Sequence, residues 1–232
     1  MTFRNWLYSI LNLFYPRVCA ACGEPLLKDE NTVCLKCRYI LPRTGYEHHS
    51  DNPVAQSFYG RVRLHAVTSC YFFAKSGKVQ HLIHQLKYKG NKEAGIFLGQ
   101  QIGESIKNEP LFQGIDYIIP VPLHPKREKQ RGYNQSLMIA LGIHKTTGIT
   151  VADKYLVRTV YTATQTHKTA EERFKNVQNI FKVRFADELK GKHVLLVDDV
   201  LTTGATLESC AHQLENIPGI RISVATAACA GN

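Results

Sequence analysis

No stretch of these 232 residues approaches the run of about 18 uninterrupted apolar residues that a membrane-spanning helix needs. The apolar run nearest the start, Trp6 to Tyr15, is broken by Asn12 and closed by Pro16 and Arg17. It lacks the long clean core and small-residue cleavage site of a secretory leader. A cytoplasmic chain with no membrane insertion is therefore expected. Trp6, Leu7, Ile10, Leu11, Leu13 and Phe14 fall near helical spacing, which predicts a short helix packed on the protein or on a partner. Acids are scarce too, 19 against 29 Lys and Arg, for a formal charge of +10. That surplus favours polyanions: phosphorylated small molecules, nucleic acid or an acidic partner. A basic but inert surface accounts for the charge equally well. Also missing is G-x-x-x-x-G-K-[ST], which removes a P-loop from consideration. Nor is there an evident run of interleaved aromatic and basic residues on which single-stranded nucleic acid would stack.

Cysteine, by contrast, is plentiful and unevenly placed. Four of the seven cysteines form CAAC (Cys19, Cys22) and CLKC (Cys34, Cys37), with eleven residues between the pairs. A Cys-x-x-Cys turn puts two thiolates on one side of a tight loop. Two such turns facing each other offer the four soft ligands of a tetrahedral Zn²⁺. The gap is slightly short for paired Cys-x-x-Cys sites but reads as a zinc ribbon, with Gly23 suited to the knuckle. The rival readings are redox chemistry, for which the βαβ context is missing, and disulfides, which fit a cytoplasmic chain poorly. A closed four-thiolate site has no open position, so the metal is expected to be structural. Cys70, Cys210 and Cys229 read as ordinary thiols. His48, His49 and Asp51 lack a second ligand group at suitable spacing, so a polar linker is expected there. The domain boundary is placed near residue 60, giving a module over 1–60 and a larger domain over 61–232.

In the larger domain, VTSCYFFA (67–74) predicts a strand. Val79, Leu82, Ile83 and Leu86 keep helical spacing up to Gly90, and Lys87 and Lys89 near the helix end suit its dipole. NKEAGIFLGQQIGESIK predicts a second helix. A strand over Ile115–Val121 leads into PKREKQRGYNQ, a basic loop with Lys126, Arg127, Lys129 and Arg131, and then a helix that stops near Gly142 or Gly148. Strand, basic loop, helix is the order in which an open α/β sheet presents ligands at the carboxyl ends of its strands. A plain solvated charge run remains the alternative. From Leu156 the chain opens as a strand and becomes a threonine-rich loop over Thr162–Lys168. That loop either closes over a substrate or is simply mobile, and TAEE (169–172) reads as a capping box.

HVLLVDDV is continuous and apolar, the pattern of a parallel strand buried on both faces. TTGAT follows and opens a helix with Leu207 and Leu214 on its inner side. Strand, tight hydroxylated loop and helix N-terminus make an anion cradle of backbone N–H groups. Gly204 admits close approach, and Thr202, Thr203 and Thr206 add hydroxyl donors. Asp198 and Asp199 stand just before it. Ionised, they cannot bind phosphate, but they accept hydrogen bonds from sugar hydroxyls, directly or through metal-bound water. A ribose 5-phosphate meets both demands, and an oxocarbenium-like transition state at C1 would be stabilised by the carboxylates.

VLLVDDVLTTGATL resembles the signature with which type I phosphoribosyltransferases bind 5-phosphoribosyl 1-pyrophosphate (PRPP). CAAC…CLKC, LKYKG, IPVPLHPKREKQRGYNQ and the Arg158–Phe181 segment narrow the resemblance to the ComF family, the ComF/GntX group, over nearly the whole chain. It implies an α/β fold of the type I phosphoribosyltransferase kind, a mainly parallel twisted sheet flanked by helices, preceded by a small four-cysteine zinc ribbon. It implies that Asp198 and Asp199 take the ribose hydroxyls and Mg²⁺ of PRPP, and that Thr202, Thr203, Gly204, Ala205 and Thr206 take the 5-phosphate. The Leu123–Arg131 loop would face pyrophosphate, with Arg131 the best single candidate. Thr162–Arg173 resembles the mobile loop that covers such sites, and Gln165, Arg173 and Asn176 match family-typical positions. The resemblance further implies a part in natural competence and the internalisation of transforming DNA, with contact to single-stranded DNA or the competence helicase. Two functions follow. One is pentosyl transfer from PRPP to an acceptor that the sequence does not name. The other is a non-catalytic DNA- or helicase-binding adaptor on the same scaffold.

Overall fold

The computed structural model describes residues 16–159 and 180–230. The apolar stretch before Pro16, the capping box TAEE, the threonine-rich loop, Gln165, Arg173 and Asn176 lie outside the described residues. In chain order the helices are α1 (Leu35–Ile40), α2 (Pro53–Gln56), α3 (Lys78–Tyr88), α4 (Lys92–Ile106), α5 (Pro125–Arg131), α6 (Gln135–Thr147) and α7 (Ala205–Leu214). The strands are β1 (Ala66–Phe73), β2 (Tyr117–Pro120), β3 (Thr150–Val151), β4 (Leu156–Arg158), β5 (Phe181–Val183), β6 (His193–Leu201) and β7 (Arg221–Ala230). Five of them form one sheet in the order β1-β7-β6-β2-β3, parallel throughout, and β4 pairs with β5 as a small antiparallel ribbon.

The unbroken apolar run of β6 has the cause expected of it, because helices cover both faces of the sheet. Side chains of a strand alternate faces. Accordingly Leu195 and Val197 join the core with α4 and α6, while Val194 and Leu196 join the core with α7. The spacing read in α3 holds: Val79, Leu82, Ile83 and Leu86 are its buried side chains. Each such burial contributes about 1.5–3 kcal/mol relative to exposure.

Gly142 does not end a helix. It lies inside α6, which stops at Gly148 in the left-handed conformation. Its role is contact: a Cβ there would come 2.2 Å from Ile96 O, and one on Gly99 would come 1.9 Å from Ile139 O. Two facing glycines let the backbones of α4 and α6 touch. The basic loop is corrected as well. Pro125–Arg131 is a short helix with Pro125 in its first turn, the His124 imidazole accepting from the Lys126 N–H, and Gly132 at its end. It buries no side chain, so apolar spacing gave no sign of it, while the capping residues did.

The hydrophobic packing runs straight through residue 60. Cys19, Ala21, Val33, Cys37 and Leu41 share one core with α3, α4 and α6. Val54, Ala55 and Phe58 share the other with α7. Residues 42–44 pair with the outer edge of β1 through Phe72 N–H to Pro42 O, at 2.9 Å, and Thr44 N–H to Cys70 O, at 3.2 Å. That covers an edge otherwise open to pairing with another chain. The segment expected to be a polar linker is ordered around Asn52. Its side-chain amide donates to the carbonyls of Tyr46, His49 and Val67, and its oxygen caps α2. His48 pairs with Glu109 at 2.9 Å.

Candidate functional site

The four cysteines of the two short motifs converge. Their sulfur atoms all lie within 4.8 Å of one another, and among the described residues they are the only group of three or more His, Cys, Asp or Glu side chains placed to hold a metal ion. Gly23 N–H closes the first knuckle on Cys19 O at 2.8 Å, and Cys34 caps α1, on which Cys37 sits. Burial pushes the Cys19 thiol up, but the backbone N–H groups of Cys34, Ala21 and Cys22 outweigh it and bring it down to about 7. Burial and the neighbouring Cys22 and Cys34 push the Cys37 thiol up. Crowded thiolates repel one another, and a cation in their midst relieves that repulsion. Tetrahedral Zn–S bonds of about 2.3 Å put sulfurs roughly 3.8 Å apart, and Cys22 and Cys34 stand at 3.9 Å. The donor set fits zinc. Cys70, Cys210 and Cys229 are buried free thiols.

At the carboxyl ends of β2 and β6 lies a cavity of about 500 Å³. Asp198, Asp199, Thr202 and Thr206 line it from one side, and Arg127, Arg131, Asn134, Gln135 and Ser136 from another. Lys87, Tyr88 and His84 of α3 face it, as does Arg158 from the end of β4. Three of the residues expected at the phosphate loop, Thr203, Gly204 and Ala205, are not on its wall. Thr203 turns its carbonyl to Arg61, whose guanidinium donates to it at 3.3 Å and also pairs with Glu208. Gly204 has a φ of 75°, a left-handed backbone, and a Cβ on it would meet the Phe58 ring at 3.0 Å. Ala205 opens α7. Gly204 brings no capping side chain. The Ala205 N–H reaches the Thr203 hydroxyl oxygen at 3.5 Å, and the next N–H groups of the first turn of α7 point to an incoming acceptor.

Asp198 Oδ1 accepts from the Ser136 hydroxyl at 2.8 Å and from the Asp199 N–H at 2.9 Å. Burial first, and then the neighbouring Asp199 charge, push the Asp198 carboxyl up to about 7. Asp199 Oδ1 pairs with the Lys87 ammonium at 2.9 Å. The carboxylates supply hard oxygen donors at the cavity wall, which is what Mg²⁺ takes. Arg131, singled out by resemblance, lines the cavity. Its guanidinium donates to Gln135 Oε1 at 2.8 Å and lies over the Tyr88 ring at 5.7 Å. Burial, and then the nearby Arg127 charge, lower the Arg158 pKa. Asn134 fixes this wall by donating to Val121 O at 3.0 Å while capping α6.

Sequence reasoning missed Lys87 as a partner of the acids, Ser136 as the support of Asp198, and Phe58 and Arg61 as the backing of the threonine loop. LKYKG and YNQS were visible signals. Nothing local in the sequence connects Phe58 to Gly204.

Residues 140–231 match the family described as the phosphoribosyl transferase domain. The chain is 29% identical over 213 residues to DNA utilization protein YhgH of Shigella flexneri, covering 90% of this chain and 89% of that one. It is 31% identical over 204 residues to Competence protein ComFC of Bacillus subtilis, 82% of this chain and 80% of that one. To Competence protein F of Haemophilus influenzae it is 35% identical over 101 residues, 43% of this chain and 44% of that one.

Proposed function

The chain belongs to the ComF family of phosphoribosyltransferase-domain proteins, and from that membership we propose that it binds PRPP with a divalent cation and acts in the use of incoming DNA. One observation carries the reading. A single cavity gathers two carboxylates, the threonines Thr202 and Thr206 at the N-terminus of α7, and the cations Lys87, Arg127, Arg131 and Arg158. A ligand with two anionic ends and a diol between them matches that lining. The α7 N-terminus, with Thr202 and Thr206, takes the 5-phosphate. Asp198 and Asp199 accept from the ribose hydroxyls and hold the metal, which supplies charge neutralisation to the leaving group when bound. Arg131, with Arg127, binds pyrophosphate, and Thr203, Gly204 and Ala205 shape the loop.

In the transfer reaction the C1–O bond to pyrophosphate breaks, with its electron pair leaving on pyrophosphate. A lone pair of the acceptor forms the new bond to C1, and the acceptor's proton is lost. The carboxylates stabilise the positive charge that develops at C1. The relatives' names, a DNA utilization protein and competence proteins, support a place in competence, with single-stranded DNA or a helicase as macromolecular partner. Zinc at Cys19, Cys22, Cys34 and Cys37 is structural, since four thiolates leave no open position. No two of the described cysteines are joined in a disulfide, which supports a reducing compartment, the cytoplasm. Among the described residues, no helix is long and apolar enough to cross a membrane.

Calorimetric titration with PRPP and Mg²⁺ tests this reading. Binding is expected in the wild type and a loss of about a hundredfold or more in Asp198→Asn and Asp199→Asn, the scale of a lost charge-assisted contact of roughly 3 kcal/mol. Equal binding by those variants would sink it.

A further inference from the structure

Lys87 is in direct contact with the acid pair, and it comes from outside both the threonine loop and the Leu123–Arg131 segment. It occupies the last turn of α3, where the helix dipole favours a cation, and its Nζ reaches Asp199 Oδ1 at 2.9 Å. Both side chains are largely withdrawn from water, 22% exposed for Lys87 and 12% for Asp199, and both line the cavity. An ammonium and a metal ion cannot share one carboxylate oxygen without strong repulsion between like charges. The Lys87 stem is long and flexible, and its head is a compact point charge. Displaced from Asp199, it would still face a cavity whose wall also carries Arg127 and Arg131. The partner it can then find in that cationic surrounding is an anion of the ligand.

We infer that Lys87 is a built-in competitor of the divalent cation at Asp199, and that it passes to the ligand's phosphates when the metal–PRPP complex takes its place. The second half rests on the PRPP reading, whereas the first needs only Asp199 and a metal. Lys87 is thus a positioning residue that keeps the acid pair from gathering free metal and makes metal and ligand arrive together.

The test uses the full chain with Mn²⁺ alone, followed by electron paramagnetic resonance, and then PRPP with Mg²⁺ by calorimetry. Lys87→Met should bind Mn²⁺ about tenfold more tightly than wild type, and PRPP–Mg²⁺ about tenfold more weakly, each shift corresponding to one charged contact. Lys87→Arg keeps the charge and should stay within roughly threefold of wild type for Mn²⁺. In Asp199→Asn the gain from Lys87→Met should vanish, because the contested oxygen is gone. A plain structural ion pair predicts the opposite: Lys87→Met lowers the unfolding temperature and leaves Mn²⁺ affinity unchanged or weaker. That result overturns the inference, and if Lys87→Met does not fold, equal Mn²⁺ binding by wild type and Lys87→Gln does the same. Failure of wild type to bind PRPP, with Mn²⁺ still tightened by Lys87→Met, removes the PRPP reading and the hand-over but leaves the competition at Asp199 standing.

Discussion

The four-cysteine centre and the acid–threonine cavity are built in opposite ways. All four thiols come from the nineteen residues Cys19–Cys37, on two local turns, and the cluster is complete within its own segment. The cavity is assembled from α3, the segment around α5, the start of α6, the end of β4 and the loop after β6. Its loop is backed by Phe58 and Arg61 from yet another part of the chain. A local site stands or falls with its own residues, whereas an assembled one inherits every packing error between its parts.

The largest expected effect breaks the local site. Cys37→Ser removes one of the four thiols proposed to hold zinc, and bound zinc measured by atomic emission should fall well below one per chain. Structural zinc contributes about 10 kcal/mol or more in isolated metal-folded peptides. A loss of several kcal/mol is expected here, read as a fall in the thermal midpoint on the order of ten degrees. An unchanged midpoint would mean that the module is held by its shared core alone.

The next effect strikes the assembled site from afar. Gly142→Ala puts a Cβ into Ile96 O and the Gly99 Cα, which are backbone atoms with no rotamer to relieve them. Overpacking of this kind costs about 1–3 kcal/mol. Because α6 carries Ser136 at its start, PRPP affinity should weaken too, although Gly142 does not line the cavity. Lost stability with untouched affinity would show that the cavity is better insulated than its construction implies.

The third prediction concerns protons. With the Asp198 carboxyl near 7, the ionised form that receives the metal–PRPP complex dominates only above that pH. Affinity should therefore rise with pH and level off above 7, falling by up to about tenfold per unit below it. Calorimetry at pH 5.5, 6.5 and 7.5 reads this, and a flat profile contradicts it. The smallest effect sharpens the same point. Ser136→Ala deletes one hydrogen bond to Asp198, costs about 1 kcal/mol of binding, and should move the midpoint upward, because that bond favours the ionised form.

The same contrast sets what was legible in the sequence. Strand β6, its acids and the helix after them follow one another along the chain, so their order was readable, as was the pairing of CAAC with CLKC. The spacing of Val79, Leu82, Ile83 and Leu86 named the buried face of α3. Helix α5 escaped because it has no buried face to create a period, and Gly142 escaped because close approach and helix termination both use glycine. The Lys87–Asp199 pair joins residues 112 positions apart, |87 − 199|, and only tertiary packing brings them together. Which carboxylate oxygens are engaged follows from that packing and not from any motif.

The stacking of Phe58 behind Gly204, with Arg61 tied to Thr203 and Glu208, bears on how this protein can be cut. The stretch that matches the phosphoribosyl transferase domain starts at residue 140, and a natural choice for expression would be a fragment that discards everything before β1. Such a fragment loses the ring and the guanidinium that brace the turn, and exposes Leu201 and Leu207, which lie in the same core as Phe58. Excision between Arg61 and β1 should give material that aggregates or binds anions poorly. Any shorter piece must keep Asn52, whose side chain ties that brace to the sheet through Val67 O.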